Sequence, residues 1–256
     1  MKLLFIGDIV REYGCNYIKK VLFKIKKEYE IDITVANGEN SAVGNGINKA
    51  SMDLLYSCGV DVITTGNHAF YKRDSVNIFD ESEFLLRPAN YPQGVVGKGV
   101  VIFETKMIQV AIINLMGTVY MDNLENPFNK IDGILSTIST KNIIVDFHAE
   151  ATSEKKAMGH YLAGKVTAVF GTHTHVQTSD AVILKEHTGY ITDAGMTGAE
   201  MSVLGIKKEV VIEKFKTNFP VPFEASEEPC FLNGVVIDFD ERTGKCKEIT
   251  PIIYRG

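Results

Sequence analysis

Several polar residues of this chain each stand where a short apolar run stops. Asp8, Glu39 with Asn40, Asn67 with His68, His148, and His173 with His175 all do so. Runs of that kind read as strands, and in an open α/β sheet ligands bind outside the carboxyl ends of the strands. Five such clusters imply one site assembled from distant segments. Neutral imidazoles, carboxylates and carboxamide oxygens bind first-row divalent cations, and a set this large can surround two of them. Glu39 can bridge, because a carboxylate has two oxygens. No thiolate is offered, so the donors point to iron, manganese or zinc and not to a sulfur cluster. In Thr172-His173-Thr174-His175 the spacing of two residues puts both imidazoles on one side of an extended segment, where each can reach a different ion. Asp146, His148 and Glu150 share a face in the same way, which makes Asp146 or Glu150 the partner that orients His148.

The elements that must position these residues alternate. Lys2–Ile6 is a short apolar run ended by Gly7-Asp8, and apolar residues at helical spacing between Tyr17 and Tyr29 predict a helix after it. A strand over Ile31–Ala36, a helix over Asn48–Cys58 and a strand over Val60–Thr65 continue the series of βαβ units. Val100–Phe103 and Ile108–Asn114 then read as antiparallel neighbours joined by a turn around Glu104–Lys106. A helix over Lys130–Ile138, a strand over Asn142–Phe147, a helix over Ser153–Ala163 and a strand over Thr167–Phe170 follow. Short β segments at Ala181–Leu184 and Tyr190–Thr192 precede a hairpin of Phe231–Phe239 and Cys246–Tyr254. The class is α/β, with no repeat or linker, and a single domain over 1–256 is expected.

Composition narrows the function classes. With 45% apolar and 23% charged residues the 256-residue chain belongs with globular proteins. A net charge of -5 lacks the basic field that long nucleic acid requires, and a small anionic substrate would need a local countercharge instead. Cys15, Cys58, Cys230 and Cys246 form no CxxC pair, and neither a signal peptide nor a membrane-length apolar run is present. A cytoplasmic protein with free thiols is therefore expected, with no membrane partner. The sequence leaves a homo-oligomer open and specifies no protein partner.

With the motifs in view, the chain resembles the calcineurin-like metallophosphoesterases, and within them the YmdB-like branch. The resemblance rests on Gly7-Asp8-Ile9-Val10, Asn37-Gly38-Glu39-Asn40, Thr65-Gly66-Asn67-His68, Asp146-Phe147-His148-Ala149-Glu150 and Gly171-Thr172-His173-Thr174-His175, in that order. Val10 stands where the wider superfamily has a His, and Glu39 where it has a bridging Asp; both departures are shared by that branch. The resemblance implies a four-layer α/β/β/α sandwich with mixed sheets, iron or manganese at the site, and phosphodiesterase activity on cyclic nucleotides, above all 2′,3′-cyclic ones. Carried over by position, Asp8, Glu39, Asn40 and His175 hold one metal, Glu39, Asn67, His148 and His173 the other, and His68 is the proton donor. The nucleophile implied is a hydroxide bridging the two metals.

Blander readings stand beside this one. Gly7, Gly38, Gly66 and Gly171 are expected to serve tight turns after strands. His160 and His187 fall outside the strand-end set, the Lys19–Lys27 run reads as the solvated face of a helix, and Cys15 and Cys58 as buried small side chains. The competing functions are a phosphomonoesterase of broad specificity, a dinucleotide-binding Rossmann protein, for which Gly7-Asp8 lacks the glycine-rich turn, and a regulatory scaffold with a vestigial metal site.

Overall fold

The protein is described by a computed structural model covering residues 1–105, 108–227 and 229–256. Its strands are β1 Lys2–Ile6, β2 Asp8–Ile9, β3 Ile33–Asn37, β4 Val62–Thr64, β5 Val100–Glu104, β6 Gln109–Met116, β7 Ile143–His148, β8 Ala168–Thr172, β9 Val182–Leu184, β10 Thr188–Ile191, β11 Met196–Ala199, β12 Cys230–Phe239 and β13 Cys246–Tyr254. The helices are α1 Arg11–Tyr29, α2 Lys49–Ser57, α3 Ile78–Glu81, α4 Pro127–Leu135, α5 Thr152–Leu162 and α6 Lys208–Thr217. One sheet runs β2-β11-β12-β1-β3-β4, with β13 also paired to β12, and the other runs β5-β6-β7-β8-β10-β9. Both are mixed: β1, β3 and β4 are parallel while β12 is antiparallel to β1, and β6, β7, β8 and β10 are parallel between antiparallel edges.

The pleat explains the layering. Along β1, Leu4 and Ile6 face α1 and α2, in a core with Ile18, Leu22 and Leu55, while Leu3 and Phe5 face the second sheet. A strand covered on both sides needs an unbroken apolar run, which is what Lys2–Ile6 supplies after its first residue. Phe5 stacks on Phe170 with centroids 4.6 Å apart, joining the sheets face to face. A third core lies beyond the second sheet, where Ile113, Val145 and Phe147 meet Ile131 of α4 and Met158 and Leu162 of α5. The architecture is the four-layer α/β/β/α sandwich expected, and the antiparallel β12 and β13 within the first sheet set aside a Rossmann arrangement.

Several elements depart from the sequence expectation. Helix α1 begins at Arg11, six residues before Tyr17, because Gly14 passes so near the Thr197 carbonyl that a Cβ would lie 2.4 Å from its oxygen, and packing there needs no apolar stripe. Helix α4 spans Pro127–Leu135 instead of Lys130–Ile138: Asn126 caps it by accepting from the Phe128 and Asn129 N–H groups, and Pro127 suits the first turn. The two-residue β2, the short β11 and α6, with only Val211 buried, carried no periodic signal. Strands β5 and β6 pair antiparallel as expected, but Lys106 of the expected turn lies outside the described residues. Cys15 is buried, whereas Cys58 is only half-buried. Among the described residues no helix is long and apolar enough to cross a membrane.

One buried ion pair ties an outer helix to the site. Lys155 of α5 donates from Nζ to Asp193 Oδ2 at 2.7 Å, and both side chains are 1% exposed. The same oxygen accepts from the Thr174 N–H at 3.0 Å and its hydroxyl at 2.8 Å, so the pair holds the residue between His173 and His175. Removing one partner leaves a buried charge uncompensated. Lys155→Met is expected to lower unfolding free energy by about 3–5 kcal/mol in denaturant titrations, and Asp193→Asn added to it to recover a large part of that loss. A single variant as stable as the parent chain would mean that the pair contributes nothing to holding this segment.

Candidate metal centre

All eight side chains singled out at strand ends meet at the common carboxyl edge of the two sheets. The first sheet brings Asp8 at the start of β2, Glu39 and Asn40 after β3, and Asn67 and His68 after β4. The second brings His148 as the last residue of β7, and His173 and His175 beyond β8. The glycines beside them act by close approach, not by turning. None of Gly7, Gly38, Gly66 and Gly171 has positive φ. A Cβ on Gly66 would lie 2.1 Å from the His148 ring, and one on Gly171 would lie 1.8 Å from the Thr192 carbonyl oxygen.

His148 is fully buried, and its tautomer is set by its neighbours. The Thr172 hydroxyl donates to Asp146 Oδ1 at 2.7 Å and therefore accepts from His148 Nδ1 at 2.9 Å. Asp146 also accepts from Asn37 Nδ2 at 3.0 Å and from the Thr64 hydroxyl. Asp146 thus orients His148 through Thr172, while Glu150 pairs with His173 Nε2 at 3.0 Å and not with His148. His148 Nε2 is left facing Glu39 Oε1 at 3.2 Å, Asn67 Oδ1 at 3.0 Å and His173 Nδ1 at 3.1 Å. Four lone-pair atoms converge there with at most one proton to share. Glu39, His148 and His173 place their ligand atoms within 4.8 Å of one another and could hold a metal ion.

A second group adjoins the first through Glu39. Asn40 Nδ2 lies 3.1 Å from Glu39 Oε1 and 3.3 Å from His175 Nε2, and His175 Nε2 lies 3.7 Å from Asp8 Oδ1. A half-turn of the Asn40 carboxamide would present its oxygen at that point instead. Among the described residues, Asp8 Oδ1 and His175 Nδ1 are buried with no hydrogen-bond partner, a costly state for a carboxylate oxygen that a bound cation would relieve. The donor set fits metal ions on this ground and on its chemistry. The Thr172–His175 segment is not extended as expected: His173 has φ +103° and His175 +64°. Strain of this kind persists only where the surroundings impose it. Here the Asp193 clamp on Thr174 does so, together with the His173 N–H donating to Asp8 Oδ2 at 3.1 Å.

Electrostatics follow from burial. Burial alone would hold Glu39 neutral, but the His148 and His68 rings beside it overcome that and keep its carboxyl well below the usual range. For His148 burial opposes charge, and Glu39, Asp8 and Asp146 outweigh it, pushing the imidazole up to about 9. Burial raises Asp8 to about 7 against the pull of His148. Burial and the charge on His148 lower His173 to about 4, and His175, also lowered chiefly by burial, lies at about 4. Both stay neutral and competent as ligands near pH 7. His68 donates its N–H to Glu39 Oε2 at 3.0 Å and sets Nδ1 3.1 Å from Oε1, which leaves Nε2 for the adjoining cavity of about 420 Å³.

Sequence reasoning assigns no role to Asn37, Thr64, Thr172, Lys155 or Asp193. Thr172 is recoverable in principle, since it lies opposite His148 in the parallel register of β7 and β8; the Lys155–Asp193 pair has no local signal. His160 is exposed, and His187 sits in the turn between β9 and β10, both away from the centre.

Comparison with known proteins places the chain. A family described as YmdB-like protein matches residues 4–252. The 2′,3′-cyclic-nucleotide 2′-phosphodiesterase of Bacillus subtilis strain 168 is 44% identical over 255 residues, covering 99% of this chain and 97% of that one. A crystal structure described as a novel phosphatase, from Mycoplasma pneumoniae, superposes with TM-score 0.94 at 34% identity, covering 99% and 93% of the two chains. A hypothetical protein from Thermus thermophilus does so with TM-score 0.93 at 39% identity, covering 99% of each. A match along nearly the whole chain, with the fold shared throughout, makes this chain a member of the YmdB-like protein family, an enzyme of the phosphodiesterase and phosphatase kind.

Proposed function

We propose that the chain hydrolyses cyclic nucleotides, 2′,3′-cyclic ones by preference, at a centre of two metal ions. The observation that carries the reading is the meeting of His148 Nε2, Glu39 Oε1, Asn67 Oδ1 and His173 Nδ1 next to the unpartnered oxygen of Asp8. In this reading Asp8, Glu39, Asn40 and His175 hold one ion, Glu39, Asn67, His148 and His173 the other, and iron, manganese or zinc suits the donors. Metal ions bound there supply Lewis acidity to the phosphoryl oxygens and lower the pKa of water. The chain's own residues then orient and donate. Thr172 and Asp146 keep His148 Nδ1 protonated so that Nε2 stays free, and the Asp193 clamp fixes the two remaining imidazoles. The name of the Bacillus relative supports the substrate and implies a phosphate left on the 3′ oxygen. A phosphomonoesterase of broad specificity is the alternative, favoured by the description of the Mycoplasma protein as a phosphatase.

Two ions per chain are expected from elemental analysis of protein purified without chelator, and Glu39→Gln should weaken retention of both. One ion per chain at saturation, with full activity, is the result that excludes a dinuclear centre. A ligand must be neutral at the donor atom, yet His148 in the metal-free chain holds its proton up to about pH 9. Uptake of Mn²⁺ by the chelated protein at pH 7–8 should therefore release protons, and affinity should rise with pH through that window and level off only above about pH 9. Calorimetry in buffers of different ionisation enthalpy reads the proton count directly.

In this reading His68 acts as general acid through Nε2, and the engagement of Nδ1 by Glu39 supports that choice of nitrogen. A ribose hydroxyl needs that proton to leave, whereas a nitrophenolate does not. His68→Ala should keep its metals and lose a factor of order 10²–10⁴ on a 2′,3′-cyclic nucleotide, with a much smaller loss on bis-nitrophenyl phosphate. Equal losses on the two substrates at unchanged metal content would assign the proton to another group.

A further inference from the structure

Arg11 adopts φ +58°, in the left-handed region where a side chain is disfavoured. The conformation is imposed by its neighbours. Its N–H donates to the Asn40 carbonyl at 2.7 Å, and Val10 before it bridges to Asn40 and donates to the Thr197 carbonyl at 2.8 Å. The half-buried Arg11 is thereby fixed beside a candidate ligand, and it lines the same 420 Å³ cavity as His68 and His175. Among the described residues no hydrogen bond or ion pair engages its guanidinium. Glu150, which lines that cavity and has no place in the ligand sets, is already paired with His173.

One wall of the cavity is apolar. Leu204, Ile206 and Phe223 line it, with Leu204 47% and Phe223 57% exposed. Their loop is seated on the Arg11 side of the site, since Gly205 passes so close to Val10 that a Cβ would lie 2.4 Å from its Cγ1. The cavity falls within the roughly 300–1,000 Å³ range of small-molecule sites and is larger than a lone phosphate needs. It thus offers the candidate metal centre, one free cation and one apolar wall. A strained residue at such a place is a pointer to function.

We infer that Arg11, with the wall of Leu204, Ile206 and Phe223, forms a subsite for a second phosphate and the base of the substrate nucleotide. The preferred substrate is then a 2′,3′-cyclic nucleotide that also carries a 5′-phosphate. The guanidinium takes the 5′-phosphate by charge-assisted hydrogen bonds while the base lies on the apolar wall. The inference rests on the nucleotide reading above and adds to it the group that the substrate must bear.

The test compares binding of two product-like probes, adenosine 3′-monophosphate and adenosine 3′,5′-bisphosphate, to the metal-loaded protein by calorimetry. Any contribution of the metal centre to the 3′-phosphate is common to both and cancels in the ratio. The bisphosphate should bind about ten- to a hundredfold more tightly, the size of one good charged hydrogen-bonded contact. Arg11→Gly, which adopts the same φ without strain, should shrink that ratio to about threefold or less while its melting temperature stays level or rises. Arg11→Lys should fall between the two. In turnover, KM for the 5′-phosphorylated cyclic substrate should rise far more than kcat falls in Arg11→Gly. Equal affinity for the two probes in the natural chain overturns the subsite, as does an Arg11→Gly variant that weakens both probes alike, which would put Arg11 on the reacting phosphate. Binding of neither probe would overturn the nucleotide reading itself, and the subsite with it.

Discussion

The contact of Glu39 with His148 is the constraint on which the site depends. Neither residue is exposed to solvent, and the carboxylate and imidazole lie 3.2 Å apart. Taking charges of this kind out of water costs several kcal/mol for each ion, and the loss is offset only when the remaining polar atoms are also satisfied. Around His148 that is done by Thr172 and Asp146, and around Glu39 by the N–H and ring of His68 and the carboxamide of Asn40. Asp8 is left with one oxygen unpartnered in the same small volume. A concentration of buried acid with an incomplete set of protons is a state that a cation stabilises, and the proton held by His148 up to about pH 9 is the weaker substitute available to the chain alone.

The same field divides the three imidazoles. Glu39 holds His148 protonated, and its charge then helps to keep His173 at about 4, while His175, the more deeply buried by its surroundings, is lowered mainly by desolvation. One histidine thus carries the positive charge and two stay neutral. Glu150 on His173 Nε2 leaves Nδ1 as the lone pair directed inward, as Thr172 on His148 Nδ1 leaves Nε2. These two rings are each oriented from the outer nitrogen, and their inner nitrogens meet at 3.1 Å.

How much of this is legible in the sequence depends on how local the signal is. An apolar run ending in a polar residue is a local pattern, and Asp8, Glu39, Asn40, Asn67, His68, His148, His173 and His175 are all found by it and do converge. The layers are legible too, because strands buried on both faces and amphipathic helices have distinct patterns. What depends on register is not. Thr172 reaches His148 only because β7 and β8 pair with those two residues opposite, and Lys155 meets Asp193 across 38 positions. The glycines mislead for the same reason: the Thr192 carbonyl that excludes a Cβ at Gly171 belongs to a segment whose approach no local pattern announces. The bend at His173–His175 likewise follows from a clamp residue far along the chain.

The division of labour between the sheets gives their packing a chemical role. The first sheet carries the carboxylates and carboxamides, Asp8, Glu39, Asn40 and Asn67, together with His68; the second carries His148, His173 and His175. Neither sheet alone presents the full donor set, so the distance between the groups is fixed by the apolar layer between the sheets. Phe5 on β1 and Phe170 on β8 stack at 4.6 Å within that layer, only three residues before Asp8 and before His173 respectively. A packed interior resists displacement and transmits it, so a change of side-chain volume at this stack would move the imidazoles relative to the carboxylates. On this argument the inter-sheet core sets the spacing of the donors, and loss of donor geometry there should precede loss of the fold.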